Sequence, residues 1–297
     1  MMVMWALVLL AVFAAELALS ARSDRSTVRN FKEDRQAYFI AKAGVEMAFN
    51  EILADFDFTY VADGQLVLAK NGEENAEYAP RNGILIGGGA LSYTIRDENG
   101  KLNLNALARD GARLQTVFGL LFPEGLEGVD AAVDSIQDWV DADDLHRANG
   151  AESDFYQTRQ NPHKARNADF DSLDELRKVN GVTPEMFARL SPIVSLYPGG
   201  ALNVNTAPET VLLAQGLPAD QVAVIMKVRE EKGYSDATGQ SDIFEITSSG
   251  SFEGSPLVHT IRVYVRKTGP RSLRVLDWID SYYPVKKEEI QEEKKKG

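Results

Sequence analysis

The sequence predicts an α+β fold: a long N-terminal helix, an antiparallel sheet, and an all-α domain inserted between two parts of that sheet. Three observations carry this. An apolar run, Met1 to Ala21, passes without a break into an amphipathic pattern that continues to Leu53. Alternating residues around Leu91–Asn105 and Ser241–Lys267 read as strands. Between them, from Asp110 to about Glu230, the pattern turns helical in short pieces broken by Gly and Pro.

Composition sets the bounds. With 297 residues, 44% hydrophobic and 26% charged, the chain has room for two compact domains, or for one carrying an insertion. Its net charge of −12 argues against a nucleic-acid partner, which prefers a basic face. There is no cysteine, which excludes disulfide frameworks, zinc–thiolate sites and cysteine nucleophiles. The histidines, His146, His163 and His259, are scattered and suggest no shared transition metal.

The helix comes first. Met1–Ala21 holds a single charge, Glu16, and about twenty helical residues span the roughly 30 Å of bilayer hydrocarbon. A cleavable secretory signal is the rival, with Ala18-Leu19-Ser20 as a small-x-small site. No Lys or Arg precedes the run, while Arg22, Arg25 and Arg29 follow it, which points to a true start upstream with a basic leader. From Arg25 to Leu53 Gly44 is the lone glycine and proline is absent. Phe31, Tyr38, Ala41, Val45, Ala48, Phe49 and Ile52 make one helical face, with Arg35, Lys42, Glu46 and Asn50 opposite. A cleaved signal is followed by an unrelated mature start. Here the two patterns join into one rod of about fifty residues, roughly 75 Å long, the shape of a pilin spine.

The remaining elements follow in order. QLVLA and GILIG are short strands, and Asn99-Gly100 between alternating runs predicts a hairpin. Ser241–Lys267 alternates around a Gly/Ser/Pro turn, and the tail KKEEIQEEKKKG has no face to bury. GKLNLNALA at Gly100 and GALNVNTAP at Gly200 echo each other, marking the points where an insertion leaves and rejoins the sheet. The predicted segments are 1–21, a transmembrane half-helix; 22–54, its amphipathic half; 55–108, the first part of the sheet domain; 109–235, the inserted α domain; 236–283, the second part of the sheet domain; and 284–297, a disordered charged tail.

The acidic stretch DWVDADDLHRANGAESD is the candidate site. Asp130–Asp154 holds eight acidic residues against Arg147 alone, a formal charge of −7. Such crowding is solvated, neutralised by protonation, or bound to a cation. An EF-hand count from Asp141 places Asp143 and Glu152 correctly but puts Leu145 and His146 where a ligand and a glycine belong, so that template fails. What remains is a loop with Asp141, Asp143, Asp144, Asn149, Glu152, Ser153 and Asp154 able to surround one hard cation, calcium rather than magnesium. A solvated acidic helix end and loop is the plainer account of the composition, although Trp139 favours an ordered loop pinned to the core. A glycosidase-type acid pair is disfavoured, since nothing fixes the separation of the carboxylates.

FDSLDELRKVNGVTPEMFARLSPIV and LNVNTAPETVLLAQGLPADQVAVIMKVREEKG each read as helix, Gly turn, helix, resembling helix-hairpin-helix (SAM-like) units. Glu185 and Asp220 at the would-be phosphate face repel DNA, so a packing module is preferred. No P-loop, Rossmann, nucleophile-elbow or H-E-x-x-H motif is present.

Taken in order, MWALVLLAVFAAELALSA with RQAYFIAKAGVEMA, DENGKLNLN, DWVDADD with GAESDFY, FDSLDELRKVNGVTPEMFARLSP and ALNVNTAPETVL resemble the type II secretion minor pseudopilin K family over most of residues 4–215. The resemblance implies a non-enzymatic, single-pass protein of the bacterial inner membrane with a periplasmic body and a pseudopilin-like sheet. It implies a tip complex with minor pseudopilins I and J that starts pseudopilus assembly for export across the outer membrane. Cleavage by the prepilin peptidase is implied if the start lies upstream, and no nucleic acid is expected. It further implies calcium at the acidic loop, carried onto Asp141, Asp143, Glu152, Ser153 and Asp154, with Asp138 and Asp144 ranked below them. The family's leader, which ends in glycine, is not in this sequence. Glu16 lies too deep to be the glutamate that other pseudopilins carry near the start of the helix; family K commonly lacks it, as suits a tip subunit with nothing above it. The alternatives are a helix-hairpin-helix DNA-binding protein of a competence-type system and a membrane-tethered hydrolase using the acidic loop.

Overall fold

The computed structural model describes residues 1–70, 80–197, 200–235 and 241–284; the predicted tail lies, but for residue 284, outside them. The rod is one helix, α1, Met2–Leu53, 52 residues or about 78 Å. Its second half buries Ala37, Ile40, Ala41, Val45, Ala48 and Ile52, a stripe repeating every three or four residues. Tyr38 and Phe49 flank that core, but Phe31 does not reach it and is 62% exposed. It precedes the first buried position, Ala37, so the apolar spacing there meets no sheet. Toward the N-terminus Met2, Trp5, Leu10, Phe13 and Leu17 are all exposed. Among the described residues no helix is long and apolar enough to cross a membrane.

The hairpin β1 (Phe58–Ala62) and β2 (Gln65–Ala69) follows the helix. Then come β3 (Ile84–Ile86) and β4 (Gly89–Asp97), the first strands of a five-stranded antiparallel sheet. The chain leaves this sheet after Asp97 and does not return until β7 (Ile243–Phe252), whose Phe244 pairs with Asp97. The strands β8 (Leu257–Gly269) and β9 (Ser272–Pro284) complete the order β3-β4-β7-β8-β9. Leu91, Tyr93, Ile95, Phe244, Ile246, Ile261, Val263 and Val265 form the face on which α1 lies. Lys267 closes the helix: its Nζ donates to the carbonyls of Ile52 (2.8 Å) and Ala54 (3.3 Å), where a cation meets the negative end of the helix dipole.

The excursion has its own core. Between the two sheet segments run β5 (Leu102–Asn103), α2 (Leu104–Ala108), α3 (Gly111–Leu121), α4 (Val129–Val140), α5 (Ser153–Gln157), a 3₁₀ turn at Leu173–Lys178, α6 (Pro184–Leu190), β6 (Val194–Ser195), α7 (Glu209–Ala214) and α8 (Ala219–Lys232). Leu107, Leu114, Phe118, Ile136, Trp139, Tyr156, Leu176, Met186 and Leu212 pack at its centre. It is not wholly helical, because β5 and β6 pair in parallel. That pair also replaces the expected hairpin at Asn99-Gly100: the strand after the turn, β5, pairs with β6 and not with β4. Asn99 is used differently. Its Nδ2 donates to Asp242 (2.7 Å) and its Oδ1 accepts from the amide of Ile243 (3.0 Å), joining the strand that departs to the strand that returns.

The Asn echo has a different meaning from the one expected. GALNVNTAP does not rejoin the sheet; it folds back on the point of departure. The amide of Asn203 donates to the carbonyl of Asn99 (3.0 Å), and its buried Nδ2 to Thr59 (2.6 Å), Ser241 (2.8 Å) and Asp97 (3.0 Å). Burial pushes the Asp97 carboxyl above its ordinary value, against the hydrogen bonds of Ser241, Thr206, Asn99 and Asn203. Asn203→Ala leaves several buried polar atoms short of a partner, so it is expected to lower stability by about 1–3 kcal/mol. Urea unfolding of the full chain checks this, and a loss within experimental error would mean the junction is held elsewhere.

Candidate functional site

The acidic loop joins the end of α4 to the start of α5. Helix α4 buries Ala132, Val133, Ile136 and Trp139, and Asp138 falls on that same inward side, fully buried. The loop is pinned through Trp139, whose Nε1 donates to Glu175 (3.4 Å) and whose ring meets Tyr156 edge-on at 5.2 Å. Glu152 sits at the N-cap position of α5, where a side chain ordinarily accepts a backbone N–H. It accepts none. Glu152 is 1% exposed, and both of its carboxylate oxygens are buried without a hydrogen-bond partner.

The structure brings Asp138, Asp141 and Glu152 together, with one oxygen of each within 4.8 Å of the others. Arg147 reaches into them: its Nη1 donates to Asp138 and to Asp141, and its amide donates to the second oxygen of Asp138 (3.2 Å). Asp141 Oδ1 remains buried and unpartnered. The other expected ligands are engaged locally. Asp143 accepts from the amide of Leu145 (2.9 Å), Ser153 Oγ from the amide of Ala165 (3.2 Å), and exposed Asp154 bonds His146 and the amide of Phe155. Asn149 turns away to Asp134. Asp144 accepts from Asn167 Nδ2 (3.3 Å) and lines one open pocket with Glu152, Ser153, Asp154 and Asn167.

Burial, and then the charges of Asp138, Asp141 and Asp144, push the Glu152 carboxyl up to about 7. The orphaned oxygens of Glu152 and Asp141 are hard donors of the kind calcium takes, and a further orphaned oxygen belongs to Asn167, which lines the same pocket as Glu152. Gly150 is part of the cradle, since a Cβ there would lie 1.9 Å from Asp138 Oδ2. Asp138, placed below the other candidate ligands in the sequence, joins Asp141 and Glu152 in the cluster, and Asn167, which no sequence pattern singles out, lines the same pocket as Glu152.

A family model described as type II secretion system (T2SS), protein K matches residues 100–199, the stretch that holds the whole acidic loop. This part of the chain is similar to the type II secretion protein K domain. Similarity to K proteins extends beyond that domain. The type II secretion system protein K of Aeromonas hydrophila is 26% identical over 269 residues, covering 82% of this chain and 78% of that protein. That of Pectobacterium carotovorum subsp. carotovorum is 31% identical over 170 residues, 50% of this chain and 52% of the relative. Among solved structures, a chain of the GspK-GspI-GspJ complex from the enterotoxigenic Escherichia coli Type 2 Secretion System matches with a TM-score of 0.62 at 20% identity. The match covers 86% of this chain and 99% of that one, and it establishes a shared fold.

Proposed function

We propose that this chain is a minor pseudopilin at the tip of the type II secretion pseudopilus. In this role it is an assembly subunit and not an enzyme. The observation that carries the reading is α1: one helix whose second half is packed on the sheet while its first half leaves large apolar side chains exposed. Met1–Leu17 spans about 25 Å, short of a full crossing by itself, and Ala18-Leu19 prolong the apolar run in sequence. That half is seated in the inner membrane, and the body is periplasmic. The partners are pseudopilins of the I and J types, the companions named for the structural relative. The DNA-binding alternative is disfavoured because Glu185 and Asp220 stand in the first turns of α6 and α8, where phosphate would dock.

Calcium is the cation that suits the acidic loop. Asp141 and Glu152 would hold it, with Asp138 beside them and Asp144 and Asn167 at the rim. The cation supplies positive charge to carboxylates that otherwise repel. The residues themselves tie α4 to α5 and so stiffen the inserted domain.

Co-expression tests the assembly role. Affinity-tagged full chain in mild detergent is expected to co-purify with I and J pseudopilins as a stable ternary complex. Recovery of the chain alone, with both pseudopilins folded in the same lysate, would overturn the tip reading.

A further inference from the structure

Arg147 sits inside the acidic cluster and not at its edge. One nitrogen, Nη1, serves both Asp138 Oδ1 and Asp141 Oδ2 at 2.5 Å each. The backbone is shaped around this arrangement: Gly150 donates to the carbonyl of Arg147 (3.1 Å), and the Arg147 amide donates to the same Asp138 carboxylate (3.2 Å). Yet the guanidinium does not complete the cluster, because both Glu152 oxygens and Asp141 Oδ1 stay buried and unpartnered.

Charge and shape explain why. A guanidinium carries a single charge and directs its donors within one plane. Three carboxylates that converge from different sides need more charge, spread in more directions. A hard divalent ion surrounded by oxygens meets both needs. The two cations want the same carboxylates: Asp138 and Asp141, which Nη1 bridges, converge with Glu152 closely enough to share one metal ion. Arg147 also has somewhere to go, its side chain being 36% exposed while Asp138 is fully buried.

We propose that Arg147 is an internal counter-ion that occupies the cation seat of this loop, holding Asp138 and Asp141 in place and competing with a divalent cation for them. The inference rests on the calcium reading above. It gives Arg147 two opposed effects. Arg147 keeps the metal-free loop from springing apart, and it weakens metal binding by the free energy needed to swing the guanidinium out.

The test is a calorimetric calcium titration of chelator-treated full chain in detergent, alongside melting curves with and without calcium. Arg147→Gln is expected to bind calcium about tenfold tighter, the equivalent of one competing charged hydrogen bond. It is also expected to melt earlier without metal and to gain more from calcium than the native chain does. Arg147→Lys, which keeps the charge and loses the planar fork, is expected to fall between them and serves if the glutamine variant does not fold. Unchanged or weaker binding by both variants, with the native chain binding normally, would overturn the competition and leave the calcium reading standing. No calcium heat from the native chain or either variant would overturn both.

Discussion

Calcium is expected to raise the melting temperature of the chelator-treated full chain by about 5 °C or more. Saturation at a hundredfold excess over the dissociation constant contributes about 2.7 kcal/mol, and each kcal/mol moves a domain of the relevant size by about 2–4 °C. The effect has a pH signature. Glu152 has an ordinary value of 4.5 that burial, followed by Asp138, Asp141 and Asp144, pushes up to about 7. Between those values the folded, metal-free chain holds a proton that the unfolded chain has released. Its stability therefore falls as pH rises through that window. Calcium takes the deprotonated carboxylate and should flatten the dependence. Asp141→Ala with Glu152→Ala removes two of the three converging carboxylates, Asp141 together with its ion pair to Arg147, so the variant should ignore both calcium and this pH window. Differential scanning fluorimetry from pH 4.5 to 7, with calcium or chelator, reads all of this. An equal calcium shift in the native chain and the double variant would place the cation elsewhere.

Gly250→Ala is expected to be among the most damaging added methyls in the sheet domain, at about 3 kcal/mol. A Cβ at that position would lie 2.3 Å from the Ala41 nitrogen and 2.5 Å from the Ala37 carbonyl oxygen, both backbone atoms of α1. Neither can yield unless the helix lifts off the sheet, which would loosen the packing of Ile40, Ala41 and Val45. Gly44→Ala, from the opposite side of the same crossing, should cost clearly less. Its Cβ would meet Ser248 Oγ at 2.3 Å, the end of a side chain that can rotate away at the expense of its bond to the Ala41 carbonyl (2.7 Å). Urea unfolding of the two variants gives the order. Equal losses, or a loss under about 1 kcal/mol for Gly250→Ala, would show that the crossing tolerates added bulk.

Local patterns were legible where they act over a few turns. The long helix could be read because an apolar run and a three-to-four-residue stripe follow each other with no proline between them, and a helix needs only its own residues to continue. The strands β7 and β8 could be read from alternation for the same reason. Asn99-Gly100 misled because its turn propensity is real while its pairing partner is not local: β5 finds β6, far along the chain. Phe31 misled because a helical face predicts burial only where another element lies against it. In the acidic loop, the crowding of charge was visible in the composition. Which carboxylates converge was not, since that depends on the turn that wraps Arg147 and Gly150 around Asp138 and on the inward face of α4.

The rod, the strand and helix blocks, and a loop with more negative charge than its own residues can neutralise all follow from the order of amino acids alone. These are properties of neighbours along the chain: periodicity, turn residues and local charge density. The folded chain was needed to show that Gly44 and Gly250 mark a close helix–sheet crossing, that Asn99 and Asn203 clamp the departure of the inserted domain, and that the Glu152 carboxylate is buried without a hydrogen-bond partner. Each of these is a relation between residues far apart in sequence. Contact, desolvation and orphaned hydrogen-bonding groups arise when such residues meet, and no local pattern records the meeting.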